Sequence, residues 1–242
     1  MAYYYYILAA LLCTSSCTGE NSGQLAGTSV QKTGGFTSEL VKSPTILLLE
    51  SLGFVDIARR DTTILIDLKY ATTDNFTGKV LYKELNKAYL HPVAMEKLSK
   101  ASKILRQSHP GLRLLVYDAA RPLSVQKEMF DAVKDTPYRA YVADPSRTGL
   151  HNYGIAVDLT ICDVNGHALD MGTKFDFFGK EAGINNEDTF LSQGIFTDEQ
   201  VKNRRLLRNI MLRAGFLSIR GEWWHFNACS LQEAKRISRL IE

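Results

Sequence analysis

The chain has 242 residues and lacks most of the marks of the commoner functional classes. It has no Gly-rich phosphate loop and no stripe of interleaved aromatic and basic residues, and its formal net charge of +3 is too small to draw it to a polyanion. Nucleotide and nucleic-acid binding are therefore not expected. No internal repeat is apparent, which excludes a solenoid. The two-histidine helix of HExxH zinc peptidases is missing. Cysteine is scarce: beyond the first 17 residues only Cys162 and Cys229 occur, too few for a disulfide scaffold. Each lies four residues past a candidate metal ligand. If the two segments are antiparallel neighbours, the cysteines diverge to roughly 25 Å at ~3.3 Å per residue, far beyond the reach of a disulfide. Two free, buried thiols are expected. The apolar run at residues 3–12, YYYYILAALL, is too short for a permanent membrane span.

What is present points to a single exported domain. The short apolar run fits the core of an export signal, although no Lys or Arg precedes it. Thr14-Ser15-Ser16-Cys17 resembles a bacterial lipoprotein cleavage box, so residues 1–17 read as a lipoprotein-type signal with Cys17 as a lipidated, membrane-attached N-terminus. An ordinary signal peptide is the alternative. Residues 18–40, rich in Gly, Ser and Thr, read as a flexible tether, and residues 41–242 as one domain. Location in the periplasm follows.

Within that domain, residues 62–68 read as a first strand. Pro92–Ser108 has apolar residues at threes and fours behind an N-terminal proline, the pattern of a helix. Residues 112–117, LRLLVY, form a strand that delivers Asp118 and Arg121 to its end, and Pro122 opens a helix to Val133. Residues 155–161 read as an apolar strand, followed by a hairpin turn at Asp163-Val164-Asn165-Gly166. Thr197 and Asp198 cap a helix to Ala214 that Gly215 stops, with Arg204, Arg205 and Arg208 as its solvated face. Residues 216–227 form the last strand region and residues 231–241 a closing helix. Helices and strands mix without regular βαβ alternation, so the expected fold class is α+β, with a mainly antiparallel central sheet and helices packed on it.

Two stretches carry chemistry. Residues 149–158, GLHNYGIAVD, and residues 222–226, EWWHF, together hold two histidines and two carboxylates. A catalytic zinc site takes three ligands from imidazole and carboxylate and leaves a fourth position to water. His151, Asp158 and His225 are the candidate ligands and Glu222 the base. His151 and Asp158 are seven positions apart, so on an unbroken strand they would face opposite ways. The chain must turn between them, and Asn152-Tyr153-Gly154 is the place for it. An ionised Asp158 inside an apolar strand requires a partner or a metal. His91, His109 and His167 read as structural or exposed.

The order of these motifs resembles that of the zinc D-alanyl-D-alanine dipeptidases of the vancomycin-resistance type, within a D,D-peptidase group that shares a fold with hedgehog domains. That group carries S-x-H-x-x-G-x-A-x-D and then E-x-x-H; this chain has H-N-Y-G-I-A-V-D and E-W-W-H. Segments 67–78, 118–122 and 170–176 resemble the dipeptidases as well. The resemblance implies one Zn2+ per chain, a small D,D-dipeptide as substrate, Arg121 stabilising the oxyanion, and Asp176 holding the substrate amine. The plain reading of Arg121 is a surface residue paired with Asp118, and of Asp176 a structural hydrogen-bond acceptor. Gly149 stands where the group has Ser. A D,D-carboxypeptidase acting on longer wall peptides, or a zinc-bearing binding module without turnover, are the alternatives.

Overall fold

The computed structural model describes residues 42–242; the expected export signal, Cys17 and the expected tether at residues 18–40 lie outside them. The described residues begin with helix α1 (Pro44–Ser51), strand β1 (Val55–Asp56), the single turn α2 (Ile57–Arg60) and β2 (Leu65–Ile66). Then come β3 (Tyr89–Leu90), α3 (Pro92–Ser108), β4 (Leu112–Asp118), α4 (Leu123–Val133) and β5 (Ala156–Asp163). The chain continues through α5 (Glu187–Ser192), α6 (Asp198–Ala214), β6 (Leu217–Ser218), β7 (His225–Asn227) and α7 (Leu231–Ile237). The main sheet has five strands in the order β2-β4-β5-β7-β6, with β2 parallel to β4 and every other pair antiparallel. The expected α+β class and mainly antiparallel sheet are thus present.

Alternation along the strands divides the sheet into two faces. Leu114 and Val116 of β4 and Val157, Leu159 and Ile161 of β5 join the main core with the buried faces of α3 and α6. Leu115, Tyr117 and Cys162 turn the other way and pack with Phe175. Asp158 lies on this second face, away from the helices. Both long helices are capped as their sequences suggest. The His91 Nδ1 of α3 accepts from the Val93 amide, and in α6 Thr197 and Gln200 cap each other reciprocally, with Gly215 in the left-handed conformation at φ 99°.

Several expectations need correction. The first strand shrinks to Leu65–Ile66, and the closing helix ends at Ile237. The last strand region is two short strands with a loop between them, and Glu222 sits in that loop. Arg204 is not solvated: it is 1% exposed. Its guanidinium donates to the carbonyls of Met171, Glu181 and Gly183 and to Thr173 Oγ1, and it lies over the rings of Phe196 and Trp223. Burial pulls its pKa down to about 10. Arg208 is also largely covered, in a two-point pair with the buried Glu187. Both cysteines are free, but only Cys162 is buried; Cys229 is half-exposed.

Candidate metal centre and active site

The site is built where β5 and β7 pair. Asp158 stands directly opposite His225 in that antiparallel register, and residues opposite each other project to the same face. His151 arrives from a 3-10 turn, Leu150–Tyr153, just before β5. Gly154 ends the turn at φ 60°, and a Cβ there would come within 2.1 Å of the Phe54 ring, so the reversal requires glycine. The expected turn between His151 and Asp158 is therefore present, as a 3-10 turn closed by one left-handed residue.

The three candidate ligands converge. His151 Nε2 is 3.2 Å from His225 Nδ1 and 3.3 Å from Asp158 Oδ1, and His225 Nδ1 is 2.9 Å from Asp158 Oδ1. Ligand bonds of about 2.0–2.1 Å in a tetrahedral site imply separations of about 3.3 Å between donor atoms. The triangle matches one face of that tetrahedron. The outer nitrogens fix the tautomers: His151 Nδ1 lies 2.7 Å from the Ala119 carbonyl and His225 Nε2 lies 2.7 Å from Asn227 Oδ1. Each acceptor holds a proton on the outer nitrogen, so the inner nitrogen is the one whose lone pair the neutral ring can offer, the arrangement that metal-binding imidazoles use. The donor set of two imidazoles and one carboxylate suits zinc.

The three groups shift one another's titration. Burial penalises the Asp158 carboxylate, yet His151 and His225 outweigh burial and hold its pKa far below the usual range. Burial pulls His225 down, but hydrogen bonding and attraction to Asp158 prevail and raise it to about 9. Glu222 lies 3.9 Å from His225 Nδ1, and burial pushes its pKa up. A carboxylate with a raised pKa is a stronger base, and one beside the ligand triangle is suited to accept a proton.

Arg121 is buried and not a surface residue. It does pair with Asp118, through Nε at 2.8 Å and a terminal nitrogen at 2.5 Å, and its other terminal nitrogen donates to Gln126 Oε1 at 2.7 Å. Burial opposes its charge, but Asp118 outweighs burial and keeps it firmly protonated. Asp118 is aimed by a bulge: the β4–β5 register shifts between Val116 and Asp118, which sets Asp118 opposite Asp158. Tyr82 donates to the other Asp118 oxygen. Asn152, fully buried, donates to the Arg121 carbonyl and so ties the arginine loop to the metal turn. Asp176 sits at φ 59°, and its carboxylate accepts from Tyr70 Oη at 3.0 Å on both oxygens. Burial, reinforced by Asp158, pushes its pKa well up. The acceptor role and a place on the cavity wall are both present.

All six candidate residues line one cavity of about 250 Å³, near the lower limit for small-molecule pockets. Gly149 lines it too, and a Cβ there would meet only Asn152 Oδ1, at 3.7 Å. Gln126, Asn152 and Asn227 escaped the sequence reading. Asn227 had a signal: it follows His225 by two on a strand and so shares its face. His91, read as structural, caps a helix; His109 ends α3; His167 is exposed and pairs with Asp163.

Two imidazoles, one carboxylate and a further carboxyl beside them, lining one cavity of about 250 Å³, are the equipment of a metallopeptidase. A sequence profile of the D-ala-D-ala dipeptidase family matches residues 50–241. The D-alanyl-D-alanine dipeptidase of Escherichia coli K12 is 37% identical over 172 residues, 71% of this chain and 82% of that protein. That of Enterococcus faecium is 33% identical over 181 residues, 66% of this chain and 83% of its own length. The chain belongs to the D-alanyl-D-alanine dipeptidase family. Among solved structures, the zinc-bound vancomycin-resistance D,D-pentapeptidase VanY overlaps 63% of this chain and 79% of its own at 15% identity. Its TM-score of 0.36 is too low to bear on the site.

Proposed function

We propose that the protein is a zinc-dependent dipeptidase that hydrolyses D-alanyl-D-alanine, with His151, Asp158 and His225 holding the ion. The observation that carries this reading is the ligand triangle with its outer nitrogens already committed to Ala119 and Asn227. Bound zinc supplies a Lewis acid that brings the pKa of water toward ~7. Glu222 takes a proton from the attacking water and returns it to the leaving amine. Arg121 keeps one N–H on each terminal nitrogen beyond those given to Asp118 and Gln126, and these meet the charge that develops on the carbonyl oxygen. Its fixed partners mean that little reorganisation is needed as that charge forms. Asp176 receives the free amine of the substrate, with Tyr70 orienting its carboxylate.

The test uses the full chain with D-alanyl-D-alanine and follows free D-alanine. Turnover is expected without chelator and is lost with it. Glu222→Ala should keep its zinc and lose turnover by about 10²–10⁴-fold; retained hydrolysis would remove Glu222 from the role of base. The front segment, by its small residues before Cys17, exports the enzyme and anchors it through a lipid. A Cys17→Ser chain that stays in the membrane fraction would refute the anchor. Gly149 supports the second reading, a carboxypeptidase of longer peptides, because it removes a hydroxyl from the cavity wall.

A further inference from the structure

Beside the metal cavity lies a second, larger one of about 750 Å³. Thr160, two residues along β5 from Asp158, lines it, and the Thr160 hydroxyl is buried without a hydrogen-bond partner among the described residues. Lys69 and Asn75 bring further polar atoms to it. The two cavities share Phe76, Asp176, Phe177 and Phe178, so these residues form the partition between them. Phe178 is clamped there by three rings from two other segments. Its centroid is 5.0 Å from Phe76, 5.4 Å from Tyr138 and 5.2 Å from Tyr141, the last nearly parallel at 20°. Offset and edge contacts of this kind hold a ring in place.

The partition stands on the side of the substrate amine, because Asp176 belongs to it. A residue joined to that amine would have to pass through the wall into the second cavity. We propose that the clamped Phe178 ring is the wall that sets substrate length: it excludes peptides with an acyl group on the D-alanyl-D-alanine amine, and the second cavity is the space such a group would occupy were the ring absent. The proposal rests on the dipeptidase reading above. It concerns exclusion only and leaves the ligand triangle and Glu222 unchanged.

The experiment compares D-alanyl-D-alanine with its N-acetyl form in the zinc-loaded full chain, using Phe178→Ala, Phe178→Leu and Tyr138→Ala. Tyr138 lines neither cavity and is half exposed, so its removal loosens the clamp without touching either wall. The ratio of kcat/KM for free over blocked dipeptide is expected to fall by at least about tenfold in Phe178→Ala, the scale of discrimination one apolar pocket group supplies. Phe178→Leu should be intermediate, and Tyr138→Ala should move the same way, with zinc content constant in all. Selectivity unchanged in both Phe178→Leu and Tyr138→Ala overturns the wall and leaves the dipeptidase reading standing. Wild type that cuts both substrates equally, or neither, overturns the dipeptidase reading itself and the wall with it.

Discussion

Removing the Asn227 side-chain acceptor should weaken the metal site without touching a ligand. In Asn227→Leu the side chain keeps its number of heavy atoms and its branching at Cγ, and the strand keeps its backbone pairing to Ala156 and Leu217. What is lost is the 2.7 Å contact between Asn227 Oδ1 and His225 Nε2. The imidazole can then carry its proton on either nitrogen and rotate, and only one of these states offers Nδ1 to the ion. Outer acceptors of metal-bound histidines contribute about 10–100-fold in affinity, equivalent to about 1.4–2.7 kcal/mol. The loss expected for Asn227→Leu lies in that range, and it should appear as faster zinc release to a competing chelator. Thermal melting of the metal-free protein controls for damage to β7, since an unsatisfied buried N–H alone costs about 1–3 kcal/mol. Asn227→Asp, which keeps an acceptor, should retain the affinity. Zinc bound by Asn227→Leu within about twofold of wild type, against the 10–100-fold expected, would refute the idea that this contact sets the tautomer.

Other outcomes follow from the same geometry. In the metal-free protein His225 is raised to about 9, so at neutral pH it holds a proton that zinc must displace. Apparent zinc affinity should climb with pH up to about 9, and calorimetry in buffers of different ionisation enthalpy should count the released proton. The same shift stabilises the metal-free fold below the unfolded imidazole pKa of ~6.5 and is lost as pH rises through the folded value, which a pH series of melts checks. A Cβ at Gly149 meets nothing nearer than Asn152 Oδ1 at 3.7 Å, so Gly149→Ser should lower KM for the free dipeptide; a raised KM would count against that placement. Arg204→Met strips three carbonyls of their donor and should cost on the order of 3 kcal/mol, or about 6–12 °C in Tm, with zinc stoichiometry intact.

Much of the site could be read from residue spacing, and what could not has physical causes. An odd separation between His151 and Asp158 demanded a turn, and Gly154 in the left-handed region supplies it. Once β5 and β7 pair antiparallel, Asp158 and His225 meet because the register sets them opposite; sequence alone does not contain that register. The aim of Asp118 depends on a bulge, which leaves no mark in an apolar run such as LRLLVY. Arg204 misled because a helix pattern with three arginines suggests a wet face, whereas here the loop from Met171 to Gly183 folds over it and offers its carbonyls. Short helices such as α1 have too few turns for apolar periodicity to register. The partition around Phe178 joins segments that are distant in sequence, and nothing local announces it.

The claim on which the rest depends is that His151, Asp158 and His225 hold one ion through particular atoms. Anomalous scattering from crystals of the zinc-loaded chain tests it most directly. A single peak is expected about 2.0–2.1 Å from His151 Nε2 and His225 Nδ1 and about 2.0–2.2 Å from Asp158 Oδ1, with Glu222 outside the coordination sphere. Zinc found elsewhere, or bound through His225 Nε2, would contradict the account.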